Sequence, residues 1–86
     1  MSSPSFVNIG SGNLLSLHRL VALVEPDSAP VKRLIADAKD AGKLIDASQG
    51  HKTRSVLLTD SDHVVLSFLA PGVLEKRLNA QEADDA

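Results

Sequence analysis

The chain contains no cysteine, no tryptophan and no tyrosine, and two phenylalanines among its 86 residues. Without cysteine there is no disulfide to staple the fold and no thiolate to hold a metal, which agrees with a reducing compartment. With so few aromatics the core is almost wholly aliphatic. Such a core in one small domain is marginal alone, so self-association is the first structural expectation. No apolar run approaches the roughly 18 residues of a membrane span, and no charged start leads into the apolar core of a signal peptide. The expectation is a soluble, cytoplasmic protein without membrane contact. Scarce aromatics also weaken an RNA-binding reading, because single-stranded bases are held largely by stacking.

Catalytic constellations are missing as well. There is no G-x-S-x-G elbow and no H-E-x-x-H motif, and His18, His51 and His63 lack ligand spacing. Structural zinc takes four ligands and usually draws on cysteine. The chain is therefore read as not an enzyme, with no metal, no cofactor and no small-molecule substrate. Gly10–Ser11–Gly12–Asn13 has a Gly-x-Gly pair, but the third glycine of a dinucleotide fingerprint and the Lys-Ser/Thr ending of a P-loop are absent, which leaves a plain turn.

What is present centres on Ser48–Ser67, SQGHKTRSVLLTDSDHVVLS. Ser55–Thr59 and His63–Ser67 are apolar runs of strand length, and Asp60–Ser61–Asp62 between them has the short polar side chains of a tight turn. The stretch reads as a β-hairpin. Just before it, Gly50–His51–Lys52–Thr53–Arg54 offers two fixed cations, a hydroxyl and an imidazole, and no carboxylate lies between Ala47 and Asp60. A basic tip of this kind suits an anionic partner. His63 is read as an ordinary edge residue.

Ahead of the hairpin, a loose lead from Met1 to Ser5 precedes a short strand, Phe6–Ile9, with Val7 and Ile9 on one face. Leu20–Val24 reads as a buried strand, and Arg19 just before it either snorkels to the surface, pairs with Glu25, or is held rigidly to face a ligand. Pro26–Asp27–Ser28–Ala29–Pro30 opens the clearest helix, with Asp27 or Ser28 as N-cap. Val31, Leu34, Ile35, Ala38 and Ala41 mark its apolar face, and Gly42 ends it. Lys32 and Arg33 lie near its positive end, where stability alone would not choose them. Either Arg33 pairs with Asp37 one turn on, or the two cations and the free amides of the helix start form an anion site. Lys43–Ala47 reads as a short strand whose Asp46 bonds the loop that follows. After Pro71–Gly72, a helix from Val73 to Leu78 turns Val73, Leu74 and Leu78 inward.

The fold class implied is α+β: a small, mostly antiparallel β-sheet with one central amphipathic helix and a short C-terminal helix. Residues 1–78 form a single domain, and the acidic stretch 79–86, without apolar period, is expected to be disordered. The formal net charge is −2, but Glu82, Asp84 and Asp85 account for three of the eleven acids. Up to Leu78 the chain carries nine Lys and Arg against eight acids, a formal +1. A local patch, not this sum, sets the field a ligand meets.

Asn8–Asn13 (NIGSGN), the strand with Arg19, Pro26–Ser48 (PDSAPVKRLIADAKDAGKLIDAS), Gly50–Ser67 (GHKTRSVLLTDSDHVVLS) and the closing Pro71–Leu78 helix occur in one order and spacing. Together they closely resemble RemA, the extracellular matrix regulatory protein family of bacterial DNA-binding transcription regulators. The resemblance covers nearly the whole chain. It implies a protomer that assembles into a closed homo-oligomeric ring, a heptamer or octamer, which wraps double-stranded DNA around its rim in the nucleoid and activates biofilm matrix genes. The family's DNA-binding arginines carry over at Arg19 and Arg33. In the loop the family typically shows Gly-Arg-Arg-Thr-Arg, so here His51 and Lys52 stand where arginines would, and His18 stands where the family often has Asn. Lysine keeps the charge but lacks the fork that bonds a guanine bidentately, which directs contact to the backbone, and histidine is only partly charged near neutrality.

The expected DNA-binding set is thus Arg19, Lys32, Arg33, His51, Lys52 and Arg54, brought by folding to a common edge. A ring repeats that edge, so avidity stands in for a deep recognition helix, and bending favours A·T-rich or flexible sites. The alternative is a structural or protein-recruiting ring without DNA binding. A steep fall of DNA affinity with salt separates the two.

Overall fold

Successive side chains of a strand point to opposite faces, so Val56 against Leu57, and Val64 and Leu66 against Val65, feed two separate cores from one sheet. The computed structural model describes residues 5–85, with side chains through residue 80. In chain order the elements are β1 (Phe6–Asn8), β2 (Leu14–Ser16), a 3-10 turn (Leu17–Arg19), β3 (Leu20–Val24), α1 (Ala29–Asp40), β4 (Leu44–Asp46), β5 (Ser55–Thr59), β6 (Val64–Ser67) and α2 (Pro71–Asp85). The β5–β6 hairpin is the middle of a four-stranded sheet ordered β3-β5-β6-β4. Its β3–β5 and β5–β6 pairs are antiparallel, and β4 runs parallel to β6. β1 and β2 form a separate antiparallel ribbon. The α+β class and the mostly antiparallel pairing hold, with the strands divided between two sheets.

The parallel pair follows from the connection. α1 carries the chain from the end of β3 across one face to the start of β4, and the hairpin fills the space between those strands. The Ser28 hydroxyl accepts the Val31 N–H at 3.3 Å, Pro30 sits in the first turn, and Gly42 at C′ has φ 72°, the left-handed ending its sequence signals. Val31 and Ala38 pack against Val56, Val64 and Leu66. On the opposite face the ribbon and α2 bring Val7, Ile9 and Leu74 against Leu57 and Val65. Two fully buried serines stitch these layers. The Ser67 hydroxyl donates to the Ile9 carbonyl at 2.6 Å and accepts the Leu69 N–H at 3.1 Å, and the Ser55 hydroxyl donates to the Leu69 carbonyl at 2.6 Å. Satisfied in this way, the hydroxyls are tolerated inside an aliphatic core.

Several boundaries differ from the sequence expectation. Leu14–Val24 divides into β2, the 3-10 turn and β3, so Arg19 lies on the turn and not on a strand. β3 is an edge strand and not a buried one: among the described residues it pairs only with β5, and Val21 is 67% exposed. A continuous apolar run cannot by itself tell a buried strand from an edge strand left uncovered. His63 precedes β6 and does not open it. The closing helix also exceeds Val73–Leu78: α2 spans Pro71–Asp85, so the stretch read as a disordered tail has helical backbone from Asn79 to Asp85. Ala80, Gln81, Glu82 and Ala83 are good helix formers, and propensity needs no apolar period. Ala86, and the expected loose lead apart from Ser5, lie outside the described residues.

Ser67→Ala should destabilise the protein by about 1–3 kcal/mol, because the Ile9 carbonyl and the Leu69 amide both lose a buried partner. Urea denaturation at fixed protein concentration measures it. An unchanged midpoint would show that the serine stitch carries no weight.

Candidate nucleic-acid interface

The four-stranded sheet has two ends, and the expected cations divide between them. β3, β4 and β6 finish at one end, where β5 begins, so that end gathers Glu25–Ser28, the start of α1, residues 47–54 and Phe68–Ala70. The other end holds the 3-10 turn with Arg19, the hairpin turn and the close of α1, tied together where Lys43 Nζ donates to the Ser61 carbonyl at 3.4 Å.

The basic loop is held from beneath by a relay of hydrogen bonds. Asp46 Oδ1 accepts the Ser48 amide at 2.9 Å and the Ser48 hydroxyl as well. The Ser48 carbonyl accepts the His51 N–H at 3.0 Å, and the Arg54 N–H donates to the Ser67 carbonyl at 2.9 Å. The Ser48 hydroxyl first, then its amide, hold the Asp46 carboxyl below the usual aspartate range. From the side, the His51 ring rests on Phe68 with centroids 5.2 Å apart. Phe68 in turn lies against Gly10, where a Cβ would come within 2.8 Å of the ring and where φ is +122°. Only glycine accepts both that conformation and that approach. The contacts of Gly10, Phe68 and His51 seat the loop on the β1–β2 turn, which makes His51 a support of the loop.

Lys32, Arg33, Lys52 and Arg54 are exposed, and among the described residues no ion pair or hydrogen bond engages their side chains. The expected Arg33–Asp37 pair is not formed. The helix start contributes less than expected: Pro30 has no N–H, the Val31 amide is taken by Ser28 Oγ and the Lys32 amide by the Ser28 carbonyl at 3.0 Å. The Ala29 amide alone remains to meet an anion. Glu25 and Asp27 line one cleft with Lys52, Thr53 and Arg54, which moderates the positive field on that side.

Arg19 is engaged differently. Its Nε lies 2.8 Å from Asp60 Oδ1, and its carbonyl accepts the Asp60 N–H at 2.9 Å, so its partner is Asp60 and not Glu25. Both side chains are more than half exposed, which makes the pair worth about 0–1 kcal/mol and easily exchanged. Six steps of extended chain at about 3.3 Å separate Arg54 from Asp60, roughly 20 Å. The common edge expected for all six residues therefore does not form within one protomer. Lys32, Arg33, His51, Lys52 and Arg54 share one end, and Arg19 marks the other. Sequence reasoning missed Asp60, Phe68 and Gly10 as positioning residues, because their roles depend on the β3–β5 register and on how the ribbon packs. Among the described residues no group of three or more His, Asp or Glu is placed to hold a metal ion, and no helix is long and apolar enough to cross a membrane.

Two measurements test this scaffold. Gly10→Ala should displace Phe68, cost about 1–3 kcal/mol, and speed hydrogen exchange at the His51 amide; unaltered exchange would uncouple the ribbon from the loop. Asp46 has a folded pKa below its unfolded one, so its stabilising contribution is complete above the ordinary aspartate pKa and is lost as pH falls through the lower folded value. Asp46→Asn should therefore lower the urea midpoint at neutral pH and leave a smaller difference from wild type near about pH 3. An equal difference at both pH values would contradict the assignment.

Comparison with known proteins bears on what these ends contact. Residues 6–78 match the family model described as RemA-like, extracellular matrix regulatory protein A-like. A protein of Acetivibrio thermocellus designated as regulatory is 52% identical over 79 residues, covering 92% of this chain and 85% of its own length. Relatives so designated in Symbiobacterium thermophilum and Natranaerobius thermophilus are 52% and 48% identical over 83 residues, each covering 96% of this chain and 87% and 93% of their own lengths.

Proposed function

The chain belongs to the RemA-like family, and from that premise we propose that it is a DNA-binding transcription regulator, an activator of biofilm and extracellular matrix genes, that works as a ring-shaped homo-oligomer. The observation that carries the reading is the set of exposed, unengaged cations at one end of the sheet, two of them on a loop fixed by backbone hydrogen bonds. A loop held before binding loses little entropy when it meets phosphate. Lys52, Arg54, Lys32 and Arg33 supply the main contact. His51 holds the loop through its ring contact with Phe68 and its amide bond to the Ser48 carbonyl.

Arg19 fits the same duplex at a distance. Base pairs rise about 3.4 Å, so two cation groups roughly 20 Å apart span about six base pairs along the axis. Asp60 is displaced from Arg19 by a phosphate at small cost, since the exposed pair is weak. Contacts of this kind are with the backbone, so sequence preference rests on deformability and favours A·T-rich or flexible sites. Repetition around a ring of seven or eight protomers, the number the family resemblance suggests, multiplies a weak individual grip through effective concentration (roughly millimolar for short links). The reading needs no cofactor or small-molecule substrate and places the protein with the nucleoid. The acids of the Lys52–Arg54 cleft favour a second reading, a ring that recruits a protein of mixed charge, and salt dependence divides the two.

Mobility shifts on A·T-rich duplex should show affinity falling steeply with salt. Lys52→Ala with Arg54→Ala should weaken binding on every sequence and flatten the salt slope by roughly 0.9 for each phosphate the variant no longer neutralises. Arg19→Ala and Arg33→Ala should weaken binding while native mass stays that of wild type. Equal affinity in all these variants would sink the DNA-binding reading.

A further inference from the structure

The two sides of the molecule carry unlike apolar surfaces. α1 lies chiefly over β4 and β6 and reaches β5 at Val56, so the β3 side of the same face is the less covered. The result is an open groove of about 510 Å³ lined by Val21, Leu34, Ala38, Leu58 and Val64. Val21 and Leu34, 67% and 43% exposed, are its open wall. The register of β3 slips between Leu20 and Ala22, and an irregularity of this kind discourages strand addition along the edge. A side-chain partner suits this groove better than an added strand.

The opposite layer presents the converse shape. In the β1–β2 register Phe6 faces Ser16 and Asn8 faces Leu14, so these four side chains point outward while Val7 and Leu15 turn into the core. Phe6 and Leu14, 51% and 63% exposed, stand on the outer side of that ribbon. Beside them Arg77 Nη1 donates to the Asn8 carbonyl at 2.7 Å, which fixes a guanidinium at the rim with no acid partner among the described residues. The rim of the groove carries two acids against one lysine: Asp37 and Asp62 line it without ion pairs to any described residue, Lys43 is turned to the Ser61 carbonyl, and His63 Nδ1 is bonded to the Ser61 hydroxyl.

We infer that the groove between α1 and β3 receives the Phe6–Leu14 face of a second copy of this chain, with Arg77 of the ribbon meeting Asp37 and Asp62 of the groove. Copies then join head to tail. This rests on the ring reading above and gives it a surface. Groove against groove would set Asp37 and Asp62 against their own copies, a like-charge contact that opposes a two-fold dimer. A contact between unlike patches leaves each copy with one of each still free, so assembly continues until rotation closes a ring. It uses neither the loop cations nor Arg19.

The experiment is native mass spectrometry on Val21→Asp, Phe6→Asp and their equimolar mixture, beside wild type. Val21→Asp spoils the groove and keeps the ribbon, and Phe6→Asp does the reverse. Each alone should be monomeric, and the mixture should give a dimer and nothing larger, because one intact groove meets one intact ribbon. A single variant that retains the wild-type mass, a mixture that stays monomeric, or a monomeric wild type overturns the proposal. If an Asp variant loses its circular-dichroism signal, Val21→Ser and Phe6→Ser are judged by the same outcomes. Failure here is separable from failure of the regulator reading: a multimeric Val21→Asp that shifts DNA removes only this surface, and a multimeric wild type that ignores DNA removes only the DNA contact.

Discussion

Burial of the β5–β6 hairpin on both faces is the constraint from which the remaining structure follows. Leu57 and Val65 point to one side and Val56, Val64 and Leu66 to the other, so neither core exists unless this hairpin is covered twice. One cover is α1, which must cross the sheet and so sets β4 parallel to β6. The other is the ribbon with α2. Ser55 and Ser67, at the end of the hairpin where the basic loop begins, bond the chain after β6 and the chain after β1 into the same corner. An aliphatic core has no aromatic plates to specify its geometry, and buried directional hydrogen bonds supply some of that specification. The basic loop is therefore attached to a corner fixed by buried hydrogen bonds.

Much of this was legible in the sequence, and what was not has a common physical origin. Ser28, Pro30 and Gly42 announce α1 because capping and termination are local, and Asp60–Ser61–Asp62 announces a turn for the same reason. Asp46 likewise bonds Ser48 two residues on, as its position suggested. Long-range pairing is where local signals stop. That Leu20–Val24 is an edge depends on which strand becomes its neighbour, and that Arg19 meets Asp60 depends on the β3–β5 register. The close fit of Phe68 on Gly10 joins residues 58 positions apart, and nothing local to either marks it. The candidate site was legible as a list of cations. Its division between two ends of the sheet was not.

That division bears on how a duplex would be read if the proposed function holds. A recognition helix concentrates side chains over three or four base pairs and reads edges in the major groove. Here the cations lie at two ends of a short sheet, carried by a loop, a helix start and a 3-10 turn. On the DNA-binding reading proposed above, two small contacts about six base pairs apart would fix position along a backbone and sense whether the path between them is straight or bent. Indirect readout suits such an arrangement, and so does repetition.

The acidic end of the chain is the apparent obstacle, since three of its eleven acids follow residue 81 and the formal net charge is −2. A ligand meets the field of its neighbourhood and not the sum over the chain. Screening sets that neighbourhood at about 8 Å at physiological salt. Among the described residues the acids that share a cleft with Lys52 and Arg54 are Glu25 and Asp27. These two, more than the formal net charge, govern how much positive field survives at the basic loop, while the unengaged side chains of Lys52 and Arg54, with Lys32 and Arg33 near the start of α1, supply it.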